Sequence, residues 1–401
     1  MKILMVNKFL YPNGGSETYI FKLGQQLEQM GHQVQFFGME HEGRIVGNQM
    51  ECYTSGMDFH SSKLQKFLYP FKILYSTEAK KKIIRVLEGF KPQVVHLNNF
   101  NFQLTPSILY GIRDYERRSG EKIKVIFTAH DSQLVCPNHL MQRYDTGEKC
   151  QDCLRGSAFN CTKNRCVHGS LVKSFLGSIE GYLYRKIKTY RFIDQVISPS
   201  YFMKEVLSTS AVLKDKIMVM HNFVDKPVTM DEEDKGKKDY VLYFGRYSEE
   251  KGIRTLLKVC EELPDIPFVF IGSGPLEEKV NRLPNVENRG FLIGEELYEG
   301  IRRAKFSVFT SECYENCPFA VMEAQMYGTP VIGANIGGVP ELIAEGQTGE
   351  LFESGNAPEL RDKIKSLWES EEKINRYTKA CQEVEFDSLK TYCDKLLQVY
   401  S

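Results

Sequence analysis

Short apolar runs of three to five residues, each followed by enough chain for a helix, recur along this sequence in two series, and this alternation is its strongest constraint on fold. The first series opens with Ile3-Leu4-Met5-Val6, passes through a glycine turn at Pro12-Asn13-Gly14-Gly15, and continues into Ile20, Leu23, Leu27 and Met30 at helical spacing. Gly31 stops that helix before another apolar run at 34–37. Strand, loop, helix and strand in that order make a βαβ unit. Further runs at 94–97, 125–128, 196–198 and 217–220 extend it. Such spacing leaves room for crossover helices, so the economical solution is a parallel, doubly wound α/β sheet.

Residues 226–239, KPVTMDEEDKGKKD, are almost wholly polar and read as a linker. The second series follows, with strands at 240–244, 268–271, 306–310 and 331–333 alternating with helical stretches such as 253–263 and 295–303. A chain of 401 residues exceeds one ordinary core, so two domains are expected. Their bounds read as 1–225 and 240–385. A tail helix at 386–401 carries Leu389, Tyr392, Leu396, Leu397 and Tyr400 on one face, which suits packing across to the first domain.

Hydrophobic content of 42% and charged content of 26% fit a soluble globular protein. The net charge of zero conceals an asymmetry: residues 1–225 hold 30 Lys+Arg against 20 Asp+Glu, leaving 22 against 32 for the rest. A basic first half suits an anionic partner. No apolar run approaches the 18 residues of a membrane span, and the opening run is too short for a signal sequence, so the cytoplasm is the expected compartment. The acidic run from Asp231 to Asp234 lies in the linker and reads as solvated charge.

The residues able to do chemistry cluster after strands of the second series. Gly245-Arg246-Tyr247-Ser248-Glu249-Glu250-Lys251-Gly252 places two cations just past a strand's carboxyl end, where open α/β sheets bind ligands. Gly272-Ser273-Gly274-Pro275 forms another turn, where backbone can approach a ligand without Cβ obstruction. Then come Glu315-Asn316-Cys317-Pro318-Phe319-Ala320-Val321-Met322-Glu323 and the glycine loop Gly337-Gly338-Val339-Pro340-Glu341. Pro318 suits a helix start, so Glu315 precedes a helix and Glu323 lies within it. A helix N-terminus attracts phosphate, and carboxylates accept hydrogen bonds from sugar hydroxyls. Together they suit a nucleotide sugar.

Glu315 and Glu323, with seven residues between them, resemble the E-x7-E motif of glycosyltransferase family 4, which has the GT-B fold. The Gly-Arg-x4-Lys-Gly turn, Gly-Ser-Gly-Pro, Gly-x-Pro-Val from Gly328 and Gly-Gly-x-Pro-Glu stand in that family's order. In the first half, Gly14-Gly15 resembles its N-terminal glycine loop, His130-Asp131 its histidine at the site mouth, and Asn222-Phe223-Val224-Asp225 the end of its first domain, with Phe223 in place of the common glycine. The resemblance implies two Rossmann-like domains facing a cleft and retaining transfer without a catalytic metal.

Carried over by position, it assigns Arg246 and Lys251 to the donor diphosphate, Glu323 to ribose and Glu315 to sugar hydroxyls. Asn316, Cys317, Pro318, Phe319 and Ala320 would contact sugar or phosphate, Gly14, Gly15 and Gly272 the donor, and Gly290, Phe291 and Leu292 the base. His130 would orient the reacting sugar. The donor would be a UDP- or GDP-sugar and the acceptor a glycan or lipid-linked molecule, in surface polysaccharide or glycoconjugate synthesis of bacterial type.

An insertion at about 136–168 interrupts the resemblance. Cys150, Cys153, Cys161 and Cys166 crowd into seventeen residues of a loop too small to bury much core, and are candidate ligands of structural Zn²⁺. Cys136, His139 and His168 are alternates, and free thiols, disulfides or an iron–sulfur cluster the competing readings. Residues 63–91 and 182–192 interleave Lys and Arg with aromatic residues, a pattern for the inner face of an anionic membrane or for ordinary amphipathic helices. Rival functions are a GT-B-type epimerase or hydrolase, a sugar phosphorylase, and a zinc-loop protein binding nucleic acid. No finger, helix-turn-helix or single-strand platform supports the last, and Gly14-Gly15 does not continue as the GxGxxG of dinucleotide enzymes.

Overall fold

A computed structural model describes residues 1–56, 74–225 and 236–401. Residues 63–73 of the first basic-aromatic patch, most of the polar stretch read as a linker, and the acidic run at 231–234 lie outside the described residues. The chain divides into two compact units, Met1–His221 with Leu389–Ser401, and Asn222–Ser388.

In the first unit the order is β1 (Lys2–Val6), α1 (Gly15–Gln29), β2 (Gln33–Phe37), α2 (Thr77–Phe90), β3 (Val94–Leu97), α3 (Ser107–Ser119), β4 (Lys124–Thr128), the short helices α4 (Asp152–Arg155) and α5 (Asn160–Lys163), α6 (Leu171–Lys186), β5 (Gln195–Ser198), α7 (Tyr201–Ser208) and β6 (Ile217–Val219). The strands form one sheet in the order β2-β1-β3-β4-β5-β6, every pair parallel. Helices cover the sheet, so its central strands are mainly apolar rather than alternating, while the edge strand β2, Gln33-Val34-Gln35-Phe36-Phe37, still alternates. Ile3, Leu4, Met5 and Val6 are all fully buried, each contributing roughly 1.5–3 kcal/mol. The described part of the first basic-aromatic patch is α2. It turns Ala79, Ile83, Val86, Leu87 and Phe90 inward, as an ordinary amphipathic helix does.

The second unit runs β7 (Lys238–Phe244), α8 (Ile253–Glu262), β8 (Phe268–Ile271), α9 (Glu277–Val280), β9 (Val286–Asn288), α10 (Gly294–Arg303), β10 (Ala304–Phe309), α11 (Phe319–Met326), β11 (Val331–Asn335), β12 (Gly349–Glu353), α12 (Ala357–Trp368) and α13 (Glu371–Gln382). Its sheet is also wholly parallel, in the order β12-β11-β10-β7-β8-β9. Strand β7 begins two residues inside the stretch read as linker. Lys238 pairs with Ala304, and Asp239 meets Lys305 at 3.2 Å, so charged residues at the strand's start are satisfied without an apolar signal.

The last helix, α14 (Leu389–Tyr400), belongs to the first unit. Its expected face is buried at Tyr392, Leu396 and Tyr400. The Tyr392 hydroxyl lies 2.8 Å from that of Tyr19 on α1, and the Tyr400 hydroxyl 2.6 Å from His96 Nδ1 on β3. Among the described residues no helix is long and apolar enough to cross a membrane.

Candidate active site

In the second sheet β7 stands between β8 and β10, where the winding direction reverses. Loops leaving the carboxyl ends of β7 and β10 therefore flank a crevice at the topological switch point, the place where such sheets bind ligands. The β7 loop carries Arg246 and Lys251; the β10 loop carries Glu315.

The loops interlock through their glycines. A Cβ on Gly252 would stand 1.9 Å from the Thr310 carbonyl oxygen, one on Gly272 1.9 Å from that of Gly245, and one on Gly337 2.1 Å from that of Glu315. What presses on these three positions is neighbouring backbone. Gly338 N–H donates to the Glu315 carbonyl at 2.9 Å, and Tyr247 N–H to that of Ser273 at 2.8 Å, so the loops form one rigid rim.

On this rim Lys251 Nζ donates to Glu315 Oε1 at 2.6 Å, and Ser311 Oγ donates to the same oxygen at 2.6 Å. Burial alone would lower the Lys251 pKa, but Glu315 outweighs it and holds the ammonium above its ordinary value. Burial, then the Glu315 charge, pushes the nearby Cys313 thiol up to about 11. Arg246 is exposed, with no ion-pair partner among the described residues. Both expected cations stand past β7, Lys251 paired with Glu315 and Arg246 exposed.

Helix α11 starts after Pro318 in extended backbone with no side-chain cap, leaving its first N–H groups open to an anion. Asn222 fixes the preceding turn, donating Nδ2–H to the Cys317 carbonyl at 2.7 Å and its backbone N–H to the Cys317 thiol at 3.3 Å. That thiol is buried against Met322, so only the backbone of Cys317 is offered outward. Asn316, Phe319 and Ala320 around it are half-buried. Glu323 sits on α11 beside Tyr298 and Tyr327, whose rings stack at 5.0 Å. Past β9, Gly272 N–H donates to the Gly290 carbonyl at 2.8 Å, and Phe291 and Ile293 are 72% and 70% exposed, with Leu292 half-buried between them.

The first unit has its own switch point, between β1 and β3. Gly14 and Gly15 are exposed there, and Gly14 has φ of 176°, extended backbone that any residue adopts. Asn7 at the end of β1 donates Nδ2–H to the buried Glu17 carboxylate at 2.8 Å, and its Oδ1 accepts from Asn99 N–H at 3.0 Å. His130, after β4, lies 2.8 Å through Nε2 from Asn98 Oδ1, with its ring edge-on to Tyr19. Asn98 directs Nδ2 at the Val6 and His96 carbonyls, so its Oδ1 faces the histidine. This network assigns the Nε2–H tautomer and leaves Nδ1 as an acceptor. Burial lowers the His130 pKa to about 3, keeping the ring neutral, and raises that of Asp131 to about 6.

Behind His130 runs a buried chain: Tyr392 to Tyr19, Tyr19 to Thr128 at 3.2 Å, Thr128 to His96 at 2.7 Å, and His96 to Tyr400. Sequence reasoning missed Asn98, Tyr19 and Glu17. The paired Asn98-Asn99 ending an apolar run was the available signal, because buried amides need partners.

In the insertion Cys150, Cys153, Cys161 and Cys166 line one cavity with Cys136, walled by Met141 and Leu154. All five are free thiols. The alternate histidines turn elsewhere, His139 stacking on Phe102 and His168 lying edge-on to Tyr144. Among the described residues no three His, Cys, Asp or Glu side chains are arranged to hold a metal ion.

Two all-parallel six-stranded sheets, each with a switch-point site, define the GT-B glycosyltransferase fold. The Anabaena protein HepE, solved with UDP and glucose, superposes with a TM-score of 0.67 at 16% identity over 99% of this chain and 98% of its own. Sucrose-phosphate synthase from Thermosynechococcus elongatus gives 0.70 at 15% identity over 100% and 98%. Residues 13–226 match Glycosyltransferase Family 4, and 225–384 match Glycosyl transferases group 1. The chain belongs to glycosyltransferase family 4.

An uncharacterised glycosyltransferase of Methanocaldococcus jannaschii is 29% identical over 212 residues, 51% of this chain and 58% of the relative. The sulfoquinovosyl transferase SQD2 of Arabidopsis thaliana is 34% identical over 154 residues, 37% of this chain and 30% of the relative. These matches span less than two thirds of either relative. N-acetyl-alpha-D-glucosaminyl L-malate synthase of Bacillus anthracis is 21% identical over 97% of this chain and 93% of its own length.

Proposed function

We propose that this chain is a retaining glycosyltransferase that moves a sugar from a UDP- or GDP-sugar to a glycan or lipid-linked acceptor. The observation that carries this reading is the Lys251–Glu315–Ser311 cluster beside Arg246 on the switch-point rim of the second unit. Arg246, Lys251 and the open start of α11 are the groups suited to charge growing on a departing diphosphate. A cation about 4 Å away contributes roughly 1–4 kcal/mol in a partly screened site. Such a set needs no catalytic metal. Glu315 uses Oε1 for Lys251 and Ser311, which leaves Oε2 for sugar hydroxyls. Glu323 takes ribose, and the exposed Phe291 supports the base.

In this reading the acceptor oxygen bonds to the anomeric carbon on the face from which the diphosphate leaves. The carbon–oxygen bond to the diphosphate breaks, and a phosphate oxygen receives the acceptor proton. His130, neutral and with Nδ1 free to accept, orients a sugar hydroxyl. The test is turnover of a defined donor followed by NMR of the product: retained anomeric configuration supports the reading, and inversion, or release of free sugar alone with every acceptor, contradicts it.

For the cysteine loop we propose structural Zn²⁺, supported by five thiols lining one cavity; binding would require three or four of them to turn inward from their described positions. Metal analysis of purified protein tests it; absence of zinc at every stage of preparation contradicts it.

A further inference from the structure

Helix α6 is built inside out. The face it turns inward is Ser174, Gly177, Ser178, Glu180 and Tyr184, small or polar except for the tyrosine. The face it turns to solvent is Leu171, Val172, Phe175, Tyr182 and Leu183, which with Ile187 just beyond are 40% to 66% exposed. A helix packed on its own protein normally does the reverse. The two inward serines are engaged, which favours this orientation. Ser178 Oγ donates to the Ala158 carbonyl at 2.9 Å, Thr162 Oγ1 donates to Ser178 Oγ at 2.7 Å, and Val167 N–H donates to Ser174 Oγ at 2.9 Å. Rotating α6 to bury its apolar side would leave those groups without partners. The cysteine loop thus supplies the polar partners that hold α6 apolar-side-out.

Phe159 of that loop extends the apolar face, its ring 6.2 Å from Phe175 and 5.9 Å from Tyr182. The charge along this segment is predominantly basic, with exposed acids at its ends, Asp152 and Asp194. Between residues 153 and 193 the sequence holds eight Lys+Arg and a single acid, Glu180. Glu180 is buried on the inward face, where burial raises its pKa to about 8. Lys173, Lys186 and Lys188 are all exposed, and the Lys186 ammonium lies over the Tyr182 ring at 5.6 Å. An exposed apolar stripe edged by a marked excess of cations matches a surface that is apolar inside and anionic outside.

We infer that α6 and the flank of the cysteine loop form a docking face for an anionic phospholipid membrane, with the helix lying in the plane of the headgroups. Its 16 residues span about 24 Å, enough to seat several headgroups and acyl chains. The inference is independent of the transfer reaction, since none of these residues belongs to the donor rim or to the His130 network.

The experiment is flotation of the full chain with vesicles of phosphatidylcholine alone or mixed with phosphatidylglycerol. The chain should float only with the anionic vesicles, and less so as salt is added. Phe175→Glu with Leu183→Glu should lower the bound fraction about tenfold, and Lys186→Glu with Lys188→Glu should weaken binding further at low salt than at high. Both variants should keep the wild-type melting temperature and donor-induced thermal shift, which separates loss of docking from loss of fold. Equal binding to neutral vesicles, no binding by the wild type, or undiminished binding by Phe175→Glu/Leu183→Glu would overturn the inference. So would a concentration-dependent dimer that the same variant dissolves, since a second copy would then be the occupant.

Discussion

Glu315 is held from three sides: Lys251 and Ser311 on its side chain, Gly338 on its carbonyl. Removing it should therefore act on more than one property. Glu315→Ala is expected to lower kcat by about 10²–10³-fold, the usual cost of losing one preorganised polar contact in an active site, with a small fall in Tm. Lys251→Met should lower turnover similarly, yet destabilise more, because it leaves a mostly buried carboxylate uncompensated. Steady-state kinetics beside thermal melts separate the two. Glu180 permits a pH prediction outside the site. Its folded-state pKa of about 8 lies above the unfolded value, so the native state holds a proton that the unfolded chain releases between roughly pH 4.5 and 8. Stability is lost as pH rises through that window. Glu180→Gln should melt above the wild type at pH 8, and the gap should close below about pH 4.5.

At the scale of elements, α14 joins the first unit through two tyrosine hydroxyls rather than through apolar contact alone. Tyr392→Phe removes one of the partners of the buried Tyr19 hydroxyl, Thr128 remaining, and should cost about 0.5–1.5 kcal/mol, read as a lower Tm. Tyr19 also packs edge-on against His130, so the same variant should lower kcat modestly while leaving donor affinity unchanged. The cysteine loop and α6 share a hydrogen-bonded seam, so loosening one should loosen the other. Under the zinc proposal, a strong chelator should lower the Tm and expose amides of α6 to hydrogen exchange. No change in either would contradict a structural metal. The loop's place beside α6 was not legible in the sequence, because the inverted face of α6 has the same spacing as an inward-facing one, and periodicity records a stripe without saying which way it points.

For the whole molecule, the winding of both sheets was readable because a parallel strand buried on both faces must be an uninterrupted apolar run. The runs at 3–6 and 268–271 carry that signal without ambiguity, whereas the one at 94–97 is interrupted by the buried His96. The ordered turns around Arg246, Glu315 and Glu323 were readable for a related reason: a Cβ at Gly252, Gly272 or Gly337 would stand 1.9–2.1 Å from a neighbouring carbonyl oxygen, so those positions admit only glycine and mark the loops in the sequence. Pairing was not readable. That Lys251 pairs with Glu315 depends on the β7 and β10 loops meeting across the sheet order, which spacing along the chain does not encode. The same holds for Asn98 setting the His130 tautomer. The central claim is that the switch-point rim of the second unit grips a nucleotide sugar. Its most direct test is thermal unfolding of the full chain with UDP-, GDP-, ADP- and dTDP-sugars, beside Arg246→Ala and Glu323→Ala. One donor should raise the Tm by a few degrees at saturation, and both variants should lose most of that rise. If no donor shifts the wild type and Glu323→Ala keeps full turnover, the account is contradicted.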